Sequence, residues 1–302
     1  MKEAKYASRA KLYSNVVGWA FAMPALLGYL LLNVVPMLSS LYYSLSEFSG
    51  IGTARFIGFD NYVAYFRNID PNFLWSVRAT LSYVILAVPA NLIFAFSIAM
   101  LLNRPMKGRT FFRALFYLPS ILPQVAVSFV WLLLMNPDFG LFNTLLEFLD
   151  LPKSLWLWHE RSVIPSIVFM GIWSTGSMQI IFLAGLQDIP RVYYEAMNID
   201  GGNALQKFRY ITLPMVSSTI FFNLVMTIIG AMQVFAPAYI MTQGGPNRAS
   251  QFYVYTLWRE AFAFMNMGGA AAMAWILFIA VMMLTLVVFG TAKKWVYYEG
   301  ES

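Results

Sequence analysis

The side chains that could perform chemistry in this sequence are few. There is one histidine, His159, and there is no cysteine, which excludes disulfides, thiolate chemistry and a histidine-rich metal site. The acidic and hydroxyl side chains form no recognisable carboxylate pair and no nucleophile–base arrangement. The sequence therefore predicts a protein that is not an enzyme and that carries no metal and no cofactor of its own.

A polar segment, residues 195–214, lies between two long apolar stretches and reads EAMNIDGGNALQKFRYITLP. Gly201 suits a left-handed helix C-cap, and Gly202 permits a sharp turn. Asn203 and Gln206 have the spacing of a capping box at the start of a second helix. The pattern predicts two short helices that meet at a glycine hinge and dock on a partner.

The two predicted helices have apolar sides. Pro190 suits the first turn of the first helix, where its missing N–H costs nothing. This helix carries an apolar stripe at helical spacing, formed by Val192, Tyr193, Ala196 and Met197, with Tyr194 on its edge. The apolar side of the second helix comprises Leu205 and Phe208, with Ile211 and Leu213, before Pro214 breaks the helix. Glu195 and Asp200 are expected to supply directional polar contacts. A loop that lies on the membrane and binds nothing is the alternative.

The rest of the sequence has the composition of a membrane protein. It is 60% hydrophobic and 11% charged, whereas soluble domains carry roughly 25% charged residues. Six apolar stretches lack charged residues and histidine and are long enough to cross a bilayer: about 16–43, 79–102, 114–135, 162–186, 218–241 and 268–290. We therefore expect an all-α polytopic membrane protein with six transmembrane helices and a single transmembrane domain, 1–302.

Basic residues predict the orientation of these six spans. Of the 20 Lys and Arg, 13 fall on the side that holds the loop 188–217 and both termini. The richer side is expected to be cytoplasmic. The net charge of +6 is explained by these flanks, so no nucleic-acid partner is predicted. The first stretch is interpreted as a retained span, with a cleaved signal peptide as the alternative.

Polar residues inside the fourth and fifth stretches are candidates for a translocation path. A neutral solute such as a sugar needs hydrogen-bonding groups and apolar ring faces. Trp173, Ser174 and Ser177 lie near the middle of the fourth stretch, and Gln233 lies at a similar depth in the fifth. Trp173 and Ser177 are four residues apart and are expected to share a helix face. The alternative is that these side chains hydrogen-bond to neighbouring helices.

The order of residues in the polar segment closely resembles the EAA loop of ABC-importer permeases. The matching residues are Glu195, Ala196, Met197, Asp200, Gly201, Gly202, Phe208, Leu213 and Pro214. Further resemblance lies in 24–45, in the FIGFDNY run at 56–62, and in 102–119, 136–140 and 242–246. Met197 and Gly202 depart from the family pattern, which has alanine at both positions, and Ser217-Ser218 replaces a proline that is common there. The sequence is most similar to the carbohydrate-uptake permeases of the maltose-type family, as a MalF-like member.

This resemblance implies a type I ABC importer permease fold with both termini in the cytoplasm, in the cytoplasmic membrane of a prokaryote. The implied partners are a second, MalG-like permease, two ABC ATPase subunits that bind ATP and Mg, an extracytoplasmic solute-binding protein and membrane lipid. The implied function is carbohydrate import by alternating access, with the EAA loop as the ATPase coupling site. An importer of a non-sugar such as a glycerol-phosphate compound is an alternative, although the basic external funnel that would favour it is not evident from the sequence. An ion-coupled carrier is disfavoured, because the six stretches contain no acidic residue and no histidine.

Overall fold

The computed structural model describes residues 17–67 and 71–297, which fall into two compact units. The first unit comprises the chain up to Ala64 together with Glu260–Trp275. The second comprises Tyr65–Arg259 and the chain from Ile276 onward. The predicted basic flank at Lys2, Lys5, Arg9 and Lys11 lies outside the described residues. The assignment of a single domain to 1–302 stays a prediction.

The described residues are mostly helical. The α-helices are α1 (Val17–Ser44), α2 (Asp60–Phe66), α3 (Pro71–Asn103), α4 (Arg109–Tyr117), α5 (Gln124–Leu134), α6 (Leu141–Phe148), α7 (Val163–Trp173), α8 (Gly176–Gln187), α9 (Arg191–Ile199), α10 (Ala204–Met215), α11 (Ser217–Met232), α12 (Tyr253–Trp258) and α13 (Met267–Ala292). Tighter 3₁₀ turns occupy Leu118–Ile121 and Trp156–Trp158, and wider π-helical turns occupy Leu30–Val34, Phe208–Thr212, Ala238–Thr242 and Arg259–Ala263. Two short strands, β1 (Ser46–Glu47) and β2 (Arg55–Phe56), pair antiparallel.

Three helices, α1, α3 and α13, are each long and apolar enough to cross a membrane without a break. Three further helix pairs pass the same test but are bent at a short break. They are Arg109–Ile121 with α5, bent by 99°, α7 with α8, bent by 53°, and α10 with α11, bent by 63°. Counting each bent pair as one span gives six, as the sequence predicts. The chain is an all-α polytopic membrane protein.

Prolines account for where two of the spans depart from a straight helix. Pro123, which has no N–H to donate, stands directly before α5 at the 99° bend. The stretch 218–241 was expected to be one helix, but α11 ends at Met232 and a π-helical turn resumes at Ala238. A proline ring clashes with the carbonyl four residues earlier, so Pro237 prevents Gln233 from continuing the helix.

Helix α3 is the axis of the second unit, with α7, α8 and α11 packed around it. Its alanines allow close helix approach, since Ala87, Ala95 and Ala99 are fully buried. Toward the start of α3, one apolar cluster gathers Tyr83 with Trp131 and other side chains. Toward its end, a second cluster packs around Phe182 of α8. The end of α13 packs on α11, where the Phe221 and Phe289 ring centroids are 4.8 Å apart.

The first unit is organised by the FIGFDNY run. Asn61 Nδ2 donates to the carbonyl oxygens of Ser44 (3.0 Å) and Ser46 (2.9 Å) and so joins the end of α1 to β1. Tyr62 Oη donates to Ser44 Oγ at 2.8 Å. The Gly268 N–H donates to the Phe48 carbonyl at 2.9 Å, which attaches the start of α13. Asn61 and Tyr62 of this run therefore stabilise the first unit through hydrogen bonds.

Candidate functional site

The polar segment folds as two short helices joined at a glycine hinge; we call residues 190–215 the glycine hairpin. α9 follows Pro190 directly, and Gly201 has a φ of +75° in the left-handed region. The Gln206 N–H donates to Asn203 Oδ1 (2.9 Å), and the Asn203 N–H donates to Gln206 Oε1 (2.7 Å). Both the left-handed glycine and the capping box predicted from the sequence are therefore confirmed.

One face of the glycine hairpin attaches it to the rest of the second unit. Tyr194 Oη lies 2.9 Å from Thr212 Oγ1, so the two helices are joined by a hydrogen bond. Phe208 packs against Phe96 of α3, with ring centroids 6.3 Å apart. Ile211 is buried in the apolar cluster around Phe182. These contacts would carry a displacement of the hairpin into the packed helices.

The opposite face of the glycine hairpin is apolar and exposed. Val192 is 61% exposed, Ile199 is 87% exposed and Leu205 is 72% exposed. The predicted apolar stripe was wrong in one respect, because Met197 packs toward the apolar cluster around Phe182. Ile199, which the sequence prediction missed, takes the outward position, one helical turn beyond Ala196. Also exposed on the hairpin are Glu195, Ala196, Asp200, Gly201 and Leu213, whereas Gly202, Phe208 and Pro214 are half-buried.

A cavity of about 520 Å³ lies among α3, the start of α5, α8, α11 and the break after α11. Two of the four predicted path residues, Ser177 and Gln233, line it. Gly230 also lines it, but the close approach expected there is not seen, because nothing lies within 4 Å of a Cβ atom placed on Gly230. A volume of this size is typical of a site for a small molecule.

The other two predicted path residues are placed elsewhere. Trp173 is half-exposed and packs edge-on against Trp131 at 5.9 Å. Neither Trp173 nor Ser174 lines the cavity. The expectation that Trp173 and Ser177 share a helix face was wrong, because α7 ends at Trp173 and α8 begins after a 53° bend. Thr175 Oγ1 donates to the Ile172 carbonyl at 2.8 Å, and such local bonds from hydroxyl groups favour helix bends.

The sequence prediction missed most of the polar lining of the cavity. Five further polar residues line it: Tyr83, Asn91, Gln124, Asn223 and Thr227. Asn91 Oδ1 and Asn223 Nδ2 are buried and have no hydrogen-bond partner among the described residues. An asparagine inside an apolar stretch is itself a sequence feature that could have identified both, since polar side chains in spans are costly. Within residues 17–67 and 71–297 no three His, Cys, Asp or Glu side chains cluster as metal ligands would.

Comparison with known proteins identifies the family. Residues 91–294 match the binding-protein-dependent transport system inner membrane component family. The chain belongs to this family. The matched range includes the whole glycine hairpin and every cavity-lining residue except Tyr83.

Individual relatives and structures agree with this assignment. The permease is 39% identical over 303 residues to the probable ABC transporter permease YesP of Bacillus subtilis, covering 99% of this chain and 97% of YesP. It is 30% identical to the trehalose/maltose transport system permease MalF of Thermococcus litoralis, covering 93% and 95% of the two chains. A crystal structure of a bacterial alginate ABC transporter has the same fold, with a TM-score of 0.83, 20% identity and coverage of 94% and 96%.

Proposed function

We propose that this permease is the membrane subunit of a carbohydrate importer in the cytoplasmic membrane of a prokaryote, driven by ATP hydrolysis in separate subunits. The observation that carries the proposal is the glycine hairpin, which has an attached inner face and an exposed apolar outer face. An exposed apolar patch on a polar element is typical of a docking surface. A trehalose/maltose permease among the relatives supports a sugar as the substrate.

The coupling residues of the proposal are those of the hairpin. Its outer face, with Val192, Glu195 and Ile199, docks on an ATPase subunit that binds ATP and Mg. Its inner face, through Tyr194 and Phe208, transfers the motion of that subunit to α3 and its neighbours. A second, MalG-like permease completes the membrane pathway, and an extracytoplasmic binding protein delivers the solute. The permease itself binds no nucleotide.

The coupling role predicts a specific defect in two variants. Glu195→Lys reverses a charge on the outer face, and Gly201→Pro demands a negative φ where the hinge has +75°. We expect both proteins to insert and to assemble with the second permease, but sugar uptake per ATP hydrolysed should fall at least tenfold. The measurement is paired uptake and ATP hydrolysis in proteoliposomes that contain all subunits.

The matched control for the charge reversal is Asp138→Lys, an exposed aspartate in the turn that follows α5. It should leave the ratio of uptake to hydrolysis unchanged. Full transport by Glu195→Lys and Gly201→Pro, at normal assembly, would contradict the coupling role of the hairpin.

The cavity is proposed as the sugar site in the membrane. Its polar groups, among them Ser177, Gln233 and Asn223, are of the type that hydrogen-bonds to sugar hydroxyls. The unpaired amide groups of Asn91 and Asn223 support this assignment. A buried polar group without a partner destabilises a protein by about 1–3 kcal/mol, so its retention points to a ligand that satisfies it.

This reasoning predicts opposite effects of one substitution on stability and transport. Asn223→Leu removes the unpaired Nδ2 donor while keeping the branching at Cγ, and it should raise the stability of the permease by about 1 kcal/mol. It should also slow the uptake of the sugar that the wild-type importer accumulates, because a hydrogen-bonding group is lost. Thermal unfolding in detergent and uptake in proteoliposomes measure the two effects.

Asn143→Leu is the control for this prediction. Asn143 and Asn223 are equally buried, each 2% exposed. Asn143 is fully paired, since it bonds to the Pro137 carbonyl, to both backbone groups of Ser154 and to Trp156 Nε1 at 2.8–3.0 Å. Leucine at 143 should therefore destabilise the permease. A loss of stability in Asn223→Leu as well would count against the cavity as a binding site.

A further inference from the structure

A second pocket, of about 270 Å³, lies in the same compact unit but outside the cavity and the hairpin. It is formed by the first turns of α3, the residues that precede α7, and the turn 243–250. Three arginines line it, and we call it the arginine pocket: Arg78, Arg161 and Arg248. These residues belong to the predicted external side of the membrane.

The arginine pocket has an uncompensated positive charge. Glu160 is the one carboxylate of its lining, against three guanidinium groups. Asn247 Nδ2 donates a hydrogen bond to Glu160 Oε1. Among the described residues, none of the three pocket arginines forms an ion pair with a carboxylate, in contrast to Arg55 with Glu47 and Lys153 with Glu147. Like charges gathered in one pocket repel, and an anion bound there would relieve the repulsion.

The turn that presents Arg248 is firmly held. Asn247 and Arg248 have φ values of +44° and +63°, a conformation that residues other than glycine seldom adopt. Ser250, which is fully buried, donates to Thr242 Oγ1 at 2.6 Å, and the Ala249 N–H donates to the Pro246 carbonyl at 2.8 Å. These hydrogen bonds hold the backbone conformation of the turn. The Cα atom of Arg248 is therefore held beside the pocket.

The walls of the arginine pocket are partly apolar. Ile164, Ala249 and the Trp75 ring line it together with the charged groups. The guanidinium carbon of Arg78 lies 5.6 Å from the centre of the Trp75 ring, a cation–π arrangement that orients this arginine. A bare inorganic ion would leave the apolar walls without contacts. The walls instead suit a ligand that has a carbon framework beside its anionic group.

We propose that the arginine pocket binds the carboxylate of an acidic solute about the size of a monosaccharide. Guanidinium groups form paired, charge-assisted hydrogen bonds with carboxylates, and the volume of the pocket accommodates one sugar ring. The proposal assigns a second binding site to the permease. It also extends the range of solutes that the permease binds from neutral sugars to acidic ones. It does not depend on the coupling role of the glycine hairpin.

Binding to the purified full-length permease in lipid nanodiscs tests this proposal. Glucuronate is the probe, and glucose and acetate are the comparisons, with affinity measured by titration calorimetry. We expect glucuronate to bind at least tenfold more tightly than either comparison. Arg161→Gln and Arg248→Gln should each weaken glucuronate binding tenfold or more, because each removes a charge-assisted pair. Both arginines are exposed, so neither substitution should affect folding.

Lys153→Gln is the control, because it removes a positive charge from the same predicted side of the membrane without altering the pocket. Glucuronate affinity that falls equally in Lys153→Gln, or that changes in neither arginine variant, would overturn the proposal. Equal affinities for acetate and glucuronate would overturn the assignment of a sugar-sized ligand. The assay needs no ATPase and no transport, so its outcome is separate from that of the coupling experiments.

Discussion

Met197 and Gly202 are the two positions of the glycine hairpin where the family pattern has alanine, and they depart from it together. A Cβ atom placed on Gly202 would lie 2.4 Å from Met197 Sδ and 2.5 Å from its Cγ. The Met197 side chain thus occupies the space that an alanine methyl group at 202 would fill. The Gly202 N–H also donates to the Met197 carbonyl at 2.8 Å, so the two residues are coupled through the backbone as well.

This coupling predicts a non-additive pair of substitutions. Gly202→Ala alone should destabilise the permease by about 1–2 kcal/mol, because the added methyl group forces Met197 from its packed position. Met197→Ala in the same chain should restore most of that loss. Thermal unfolding of the two single variants and the double variant measures the interaction.

Gly290→Ala is the control for the substitutions at Met197 and Gly202. Nothing lies within 4 Å of a Cβ atom at Gly290 in α13, so alanine there should be neutral or slightly stabilising. Purely additive effects of Met197→Ala and Gly202→Ala would show that the two departures from the family pattern are independent.

At the scale of the helices, two glycines of α8 allow close contacts between neighbouring bent pairs. Gly176 begins α8 against the end of α4, where an added Cβ atom would lie 2.6 Å from the Phe116 carbonyl oxygen. Gly185, further along α8, faces Thr219 of α11, with Thr219 Oγ1 2.4 Å from a Cβ atom at 185. The first contact is to backbone and the second is to a side chain, so the two helices should respond differently to the same substitution.

We expect Gly176→Ala to destabilise the permease by about 1–3 kcal/mol, because α4 and α8 must separate. No side-chain truncation in α4 should rescue it fully. Gly185→Ala should also be destabilising, but Thr219→Ala should rescue it. The measurement is thermal unfolding of Gly176→Ala and Gly185→Ala, each alone and each combined with its side-chain truncation. Rescue of both glycine variants, or of neither, would contradict the expected difference between backbone and side-chain contacts.

The local parts of these elements were predictable and the long-range parts were not. Gly201, Asn203 and Gln206 act within a few residues of one another, so their spacing in the sequence was sufficient to predict the hinge and the capping box. The break after Trp173 combines a local hydrogen bond from Thr175 with the contact of Gly176 on the end of α4, and the sequence pattern does not show the second. The lining of the cavity comes from α3, α5, α8, α11 and the residues after α11, and their convergence on one cavity is not visible in the sequence.

At the scale of the whole molecule, six apolar stretches predicted the number of spans because each element must satisfy its own length requirement in the bilayer. The charge distribution in space was less predictable. Arg78, Arg161 and Arg248 are widely separated in the chain, so no local pattern in the sequence indicates that folding brings them to one pocket. The sequence shows no basic external funnel, whereas the folded chain gathers three arginines in one small pocket.

The orientation of the spans can be tested directly because the chain contains no cysteine. A cysteine introduced at Ile199, on the outer face of the hairpin, should be inaccessible to an impermeant maleimide in intact cells. A cysteine at Lys153 should be labelled. The pattern should reverse for inside-out vesicles, and labelling of both sites in intact cells would contradict a cytoplasmic hairpin.

The two-sided construction of α9 has a consequence for how such importers diversify. Residues that hold the hairpin to the permease, such as Tyr194, are separate from the outward residues Val192, Glu195 and Ile199. If the outward face docks on an ATPase subunit, as proposed above, mutations at these positions would alter which ATPase is recruited without disturbing the permease core. On the same proposal, duplicated importers in one cell would acquire distinct ATPases, or come to share one, through substitutions at a handful of surface positions.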